Sequence, residues 1–229
     1  ISNYPVFNYA RQYDTYRDTL QDLMKPVHTV LEAINKYCDS ADKQKLKVII
    51  CEYGPFDWAG TWPFINNTGY NLVNFEMTGD QLCEPKVAFS CFWNTRWIDN
   101  DSVENSVFDA FDKNGNFNAN GWGLAIWGKY LGEKMVKVKS TTQVRVFACT
   151  LKSPDKLRVF VINKSYDSST VRLNISSAKI KHMKLIGRLL SKGVQDTDPV
   201  WSTSKQKVGA HQLLQLPGVS ISVYELKVK

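Results

Sequence analysis

Glu52 closes the stretch Lys45-Leu-Lys-Val-Ile-Ile-Cys-Glu-Tyr-Gly-Pro55. A carboxylate at that position can carry chemistry. Leu46 to Cys51 is nearly unbroken apolar sequence, rich in β-branched residues and stopped by Gly54-Pro55. This pattern predicts a parallel strand buried on both faces. Strands of an α/β barrel end at the face where active sites are built, so Glu52 stands where a working group is expected. A plainer reading has it facing solvent or paired with a lysine. Its sequence neighbours add to the case for chemistry. Tyr53 to Phe64 is dense in aromatic rings, Trp58 and Trp62 among them. A second apolar run, Val87 to Trp93, leads into Asn94-Thr-Arg-Trp97. Aromatic rings stack on the C–H faces of sugars, while amide and guanidinium groups bind hydroxyls or carboxylates. Trp58, Trp62, Trp93, Asn94, Arg96 and Trp97 are therefore candidate sugar-binding residues. Against this, Trp58 and Trp62 could serve only to anchor a long loop, and Arg96 could pair with an acid in Asp99-Asn-Asp101.

The elements that would position these residues follow a repeating order. Ile1 to Val6 reads as a strand tail that exits at Pro5. From Thr15 to about Cys38 apolar residues recur at helical spacing, with Asp14 as the expected N-cap and Pro26 as a kink or break. Gly69 to Leu82 is a second helical segment closed by Glu84-Pro85, and Ala119 to about Val136 a third. Phe111 to Asn116 reads as a turn: its glycine is misplaced for a calcium loop and no bidentate glutamate follows. From about Lys137 the pattern becomes short strands (144–150, 157–163, 170–175, 181–190, 212–216 and 220–228), the signature of a β-sandwich. His182 and His211 stand alone, without a nucleophile at recognisable spacing.

Composition bounds the function. A hydrophobic fraction of 43% supports a sizeable core, and no apolar run reaches the length of a membrane span. The opening Ile1-Ser-Asn-Tyr-Pro5 is neither a signal peptide nor a natural initiator, so the chain is expected to begin within a longer protein. The five cysteines (38, 51, 83, 91 and 149) lack metal-ligand spacing, and Cys51 and Cys91 are expected to be small buried hydrophobes. Asn66, Asn163 and Asn174 begin glycosylation sequons, which suits a secreted or lumenal protein. A net charge of +7 favours acidic partners over neutral ones. The lysines are dispersed and not interleaved with aromatics, which argues against nucleic acid.

Three strand ends carry a resemblance. Ser-Asn-Tyr-Pro, Val-Ile-Ile-Cys-Glu-Tyr-Gly and Cys-Phe-Trp-Asn-Thr-Arg-Trp resemble strands six, seven and eight of a clan A glycoside hydrolase barrel. The helix entered through Phe108 to Gly121 and continued by Trp122 to Trp127 is similar to the last barrel helix of arabinofuranosidase, β-xylosidase, heparanase-like and agarase-like families, and the ending Gln215 to Leu226 also resembles theirs. The resemblance implies the C-terminal part of a (β/α)8 TIM barrel at residues 1–137, followed by a β-sandwich domain at 138–229 that chiefly buttresses the barrel. It further implies a retaining glycoside hydrolase acting on a polysaccharide or oligosaccharide without a cofactor. Glu52 would be its nucleophile, Tyr4 the tyrosine that hydrogen-bonds it, and Trp93 the aromatic lining the adjoining subsite. The acid/base glutamate of these families follows an asparagine on strand four. This sequence has no Asn-Glu dipeptide, so that group is expected from an N-terminal barrel segment, upstream or on a separate chain left by proteolytic processing. Ser2 stands where these families often place a histidine. The alternative is a non-catalytic extracellular glycan-binding or structural protein on the same fold.

Overall fold

A computed structural model describes residues 1–4, 12–20, 22–55, 66–96, 108–175, 179–208 and 213–229. Strands β1 (Ser2–Asn3), β2 (Val48–Tyr53) and β3 (Val87–Phe92) form a parallel sheet in the order β1-β2-β3. Helices α1 (Gln12–Asp18), α2 (Lys25–Tyr37) and α3 (Ser40–Lys45) connect β1 to β2, and α4 (Thr68–Cys83) lies between β2 and β3. Pro26 occupies the first turn of α2, where the missing N–H has no intrahelical partner to lose, so it separates two helices and does not bend one. Asp14 is not the cap expected of it. It lies within the first turn of α1 and pairs with Arg17 at 2.9 Å. The caps further on are standard: Asp39 accepts from the Asp42 N–H at 2.8 Å, and Asn67 from that of Tyr70 at 3.1 Å.

The parallel strands are not buried on both faces. Val48 and Ile50 share a core with Val27 of α2 and Leu72 of α4. Ile49 is 43% exposed, Phe89 is 55% exposed, and Cys51 and Cys91 are both exposed. Successive side chains of a strand point to opposite faces. The helices cover one face, and the described residues supply no second layer for the other. The two thiols expected in the interior are thus on a surface.

After helix α5 (Ala119–Tyr130) the chain is antiparallel. Strands β4 (Met135–Val136), β5 (Val144–Thr150), β6 (Lys156–Asn163), β8 (Ile180–Leu190), β9 (Val200–Thr203) and β11 (Ser220–Val228) form one sheet, in the order β4-β5-β6-β11-β8-β9. Strands β7 (Ser169–Arg172) and β10 (Leu213–Leu216) pair separately. Helix α5 stops six residues short of its expected end because its exit is drawn into this sheet. Gly132 donates to Cys149 Sγ at 3.0 Å, and a Cβ on it would lie 2.0 Å from the Thr150 carbonyl oxygen. Three residues later Met135 pairs with Cys149.

Alternate residues of the six-stranded sheet serve two cores. Phe160, Ile162, Ile221 and Val223 join the core of the helices and parallel strands, whereas Val159, Val161, Tyr224 and Leu226 pack with Leu214 and Leu216 of β10. At the centre of the first core Trp127 of α5 stacks on Phe75 of α4 at 4.7 Å and reaches Phe160 of β6 at 4.2 Å, while its Nε1 donates to the Phe75 carbonyl.

Helix α4 is apolar or buried on nearly every side, yet it carries a carboxylate there. Glu76 is 2% exposed; its Oε1 accepts from Arg145 Nε at 2.5 Å and its Oε2 from Tyr16 Oη at 2.7 Å, with Lys164 Nζ 3.5 Å away. Lys164, 1% exposed, also donates to the Tyr16 carbonyl at 2.8 Å. One turn on, Asp80 sits 3.4 Å from Arg145. Burial, and then the Glu76 charge, pushes its carboxyl up to about 7 against the pull of Arg145 and Lys164. Replacing Glu76 by Gln leaves the buried Lys164 without its carboxylate and weakens the hold on Arg145, and should cost about 3–5 kcal/mol, read from denaturant unfolding. Asp80 has a distinct signature. The native state keeps a proton that the unfolded chain releases near 3.8, so this residue makes stability fall as pH rises from there to about 7. Asp80→Asn should gain on the parent protein between pH 5 and pH 8 in urea midpoint. A constant difference across that interval refutes the assignment.

Candidate functional site

The site begins with strand register. Ser2 of β1 pairs with Glu52 of β2, and Ser2 Oγ donates to Glu52 Oε1 at 2.9 Å. Tyr4, two residues further on, comes to the same side by strand alternation. Burial, and then the Glu52 charge and hydrogen-bonding capacity, hold its phenol well above the ordinary tyrosine range, so it remains a neutral donor. Its hydroxyl lies within electrostatic reach of Glu52 but makes no hydrogen bond of full geometry among the described residues. Gly54 allows this approach. A Cβ there would be 3.1 Å from Tyr4 Cε1 and 3.6 Å from the Trp93 carbonyl oxygen.

The third strand end is fastened to the second. The Trp93 N–H donates to the Tyr53 carbonyl at 3.0 Å, and the Trp93–Asn94 peptide is cis. Residues 94 and 95 then run beside 108–111: Asn94 N–H donates to Phe108 O at 3.2 Å, and Ala110 and Phe111 donate back to Asn94 O and Thr95 O, each at 3.0 Å. Trp93, Asn94 and Arg96 are half-buried, and Trp93 packs against the main core. The ends of all three parallel strands therefore meet around Gly54, bringing together Ser2, Tyr4, Glu52 and the Trp93 backbone. Trp58, Trp62 and Trp97 lie outside the described residues, as does His211.

Ser2 is the functional group that sequence reasoning passed over. In the sequence it registers only as the absence of a histidine, and its role depends on which residue it faces across the strand pair. The Asp112 turn is as expected: its carboxylate accepts from the Asn114 and Asn116 N–H groups at 2.8 Å each, and Gly115 takes φ +81°. Among the described residues no group of three or more His, Cys, Asp or Glu side chains could hold a metal ion. No helix among them is long and apolar enough to cross a membrane.

The three sequons differ in what the fold leaves free. Asn163 is 0% exposed, and its amide donates to the carbonyls of Asp167, Leu216 and Pro217, so a glycan there is incompatible with the fold and that candidate is withdrawn. Asn66 is half-buried: it donates to Asp109 O at 2.7 Å and accepts from the Asn120 N–H at 2.9 Å. Asn174 is exposed.

The arrangement offers a carboxylate held by a hydroxyl donor, beside a protonated phenol, at the carboxyl end of a central parallel strand. Such a group can attack an electrophilic carbon or stabilise developing positive charge. No family model matches the sequence, and no curated protein matches it. Solved structures do match. An α-L-arabinofuranosidase from Thermotoga maritima, determined as an arabinose complex, superposes with a TM-score of 0.72 at 14% identity over 97% of this chain and 51% of its own. A family 51 α-L-arabinofuranosidase from Thermotoga petrophila gives 0.71 at 14% identity over 97% and 50%. A family 30 xylanase from Clostridium acetobutylicum gives 0.56 at 12% identity over 82% and 44%. The chain spans about half the length of the arabinofuranosidases it matches. Its structural neighbours are clan A glycoside hydrolases, and it shares the fold of the part of them that it covers.

Proposed function

We propose that this chain is the C-terminal part of a retaining glycoside hydrolase, with residues 1–137 completing a (β/α)8 barrel and residues 138–229 forming a β-sandwich against it. The observation that carries this reading is the meeting of Ser2 and Tyr4 with Glu52 at adjoining parallel strand ends, in a chain that superposes on part of solved arabinofuranosidases. In the first half-reaction Glu52 attacks the anomeric carbon as the glycosidic bond breaks, giving a covalent glycosyl-enzyme, and the acid/base group protonates the leaving oxygen. In the second, that group takes a proton from water, which attacks the anomeric carbon and releases Glu52. Retention sets the two carboxyl groups about 5–5.5 Å apart. Ser2 and Tyr4 keep the attacking carboxylate oriented and Trp93 lines the subsite next to it. Trp58, Trp62 and Trp97 stack on further sugar rings, and Asn94 and Arg96 bind their hydroxyls or carboxylates.

The acid/base glutamate comes from an upstream barrel segment, on the same polypeptide or on a companion chain. The exposed face of the parallel sheet supports this: Ile49 and Phe89 are 43% and 55% exposed there, and Cys51 and Cys91 are exposed as well. A three-stranded parallel sheet also has two edges to satisfy, and a closed barrel has none. The protein acts in a secretory or extracellular compartment, where Asn174 is the sequon best placed to carry a glycan.

In the complete protein, Glu52→Ala should lower hydrolysis of activated aryl glycosides by roughly 10⁴-fold or more, the scale on which loss of a nucleophile is felt. Added azide should restore turnover and yield a glycosyl azide of inverted configuration. Unchanged activity in Glu52→Ala, or no activity in the parent protein on any glycoside, removes the reading and favours a glycan-binding or structural role. Ser2→Ala should lower kcat/KM by about tenfold, corresponding to one hydrogen bond to a charged group, and Ser2→Thr should restore most of it.

A further inference from the structure

The six-stranded sheet carries a concavity of about 510 Å³, none of whose lining residues belongs to the parallel sheet. Its cations come together through strand register. Lys227 of β11 stands between Lys156 of β6 and His182 of β8, and Lys207 bridges across to Lys184 of β8. Like charges placed directly opposite one another on a sheet are destabilising. Two such pairs of lysines occur here, Lys156 with Lys227 and Lys184 with Lys207.

Two carboxylates organise the lysines without cancelling them. Glu225 stands 3.1 Å from Lys184, 3.3 Å from Arg158 and 3.8 Å from Lys156, and Asp155 is 3.3 Å from Lys227. Lys156, Lys184 and Lys227 nevertheless keep 41%, 47% and 46% of their side-chain surface exposed, and Lys181 and Lys207 add charge with no carboxylate partner among the described residues. A concave wall whose cations outnumber its one carboxylate, Glu225, focuses a net positive field on whatever enters. Ile180, Met183 and Val208 supply apolar lining, as sugar rings require beneath their charged substituents.

We propose that this groove binds the sulfated or carboxylated units of an acidic polysaccharide, as a second glycan site apart from Glu52. His182 is the one ring among its lining residues, with no phenylalanine, tyrosine or tryptophan beside it, so successive bases of single-stranded nucleic acid find no run of stacking platforms. Its volume falls within the range of about 300–1,000 Å³ typical of small-ligand sites, which suits a short run of sugar units and not a duplex. The choice of a glycan rests on the glycosidase reading; the charge and shape do not.

The test uses the complete protein in the Glu52→Gln background, so that binding is read without turnover, with a heparin octasaccharide as probe and calorimetry at several salt concentrations. Lys156→Thr/Lys207→Thr/Lys227→Thr should weaken binding at least tenfold and flatten the dependence of affinity on salt, as loss of about three ionic contacts requires. The same triple relieves both like-charge pairs but gives up the Lys156–Glu225 and Lys227–Asp155 ion pairs, so its unfolding midpoint should stay close to the parent's, and the binding comparison is made where both are fully folded. A control triple of equal charge, Lys36→Ser/Lys45→Ser/Lys113→Ser, should change affinity by less than about threefold. Equal loss in both triples reduces the effect to net charge and overturns the site. Tighter binding of a single-stranded DNA of matched charge, lost in the groove triple, makes it a nucleic-acid site and overturns the glycan assignment. Groove binding that persists in a protein with no glycosidase activity leaves this proposal standing and removes the other.

Discussion

A carboxylate with almost no exposure to water, Glu76, fixes how the two halves of this chain meet. Burying a charge is costly unless every lone pair is used, and removing one partner of such a group leaves the others uncompensated. Glu76 takes its partners from three places: Tyr16 on α1, Arg145 on β5, and Lys164 just after β6. Helix α4 is thereby held against the antiparallel sheet in one rotational setting. From there the constraint passes to the site. Thr78, two residues along α4, shares a 2.9 Å hydrogen bond with the hydroxyl of Tyr53, the residue that follows Glu52. The position of the candidate nucleophile thus depends on an ion cluster in the interface between the two sheets.

Much of this was legible in the sequence, because local patterns produce local elements. The β-branched run before Glu52, the helix closed by Glu84-Pro85 and the strand before Trp93 each declared themselves by composition and punctuation. What stayed hidden depends on register or on distant partners. Ser2 becomes a donor only because β1 pairs with β2 so that it faces Glu52. Asn163 reads as a sequon and proves to be a buried staple for the carbonyls around Leu216, more than fifty residues away. Strand β4 escaped notice because two residues carry no periodicity, and the preceding helix pattern runs straight through them. Nothing local marks Glu76 as buried; its partners come from α1, β5 and the turn after β6, all distant in the chain.

Charge gives the same lesson at larger scale. The lysines that make up most of the +7 excess are scattered through the sequence, and nothing in their linear order suggests a patch. Antiparallel pairing reverses that inference, since it sets residues 156, 182 and 227 side by side. A sequence argument about patches holds for helices and loops, where neighbours in space are neighbours in the chain. On a sheet it fails, because each strand contributes one residue to a row.

On the exposed side of the parallel sheet, the fold and the proposed chemistry make the same demand. In a three-stranded parallel sheet with helices on one side only, Ile49 and Phe89 lose the burial that their types predict. Fully burying such side chains contributes roughly 1.5–3 kcal/mol each, so covering this face is worth several kcal/mol to whatever supplies the cover. A retaining glycosidase also needs a second carboxylate beyond Glu52, within a few ångströms of it. A further set of parallel strands closing over Ile49 and Phe89 meets both requirements at once. It buries the apolar face, and it brings new strand ends to the rim where Ser2, Tyr4 and Glu52 already meet.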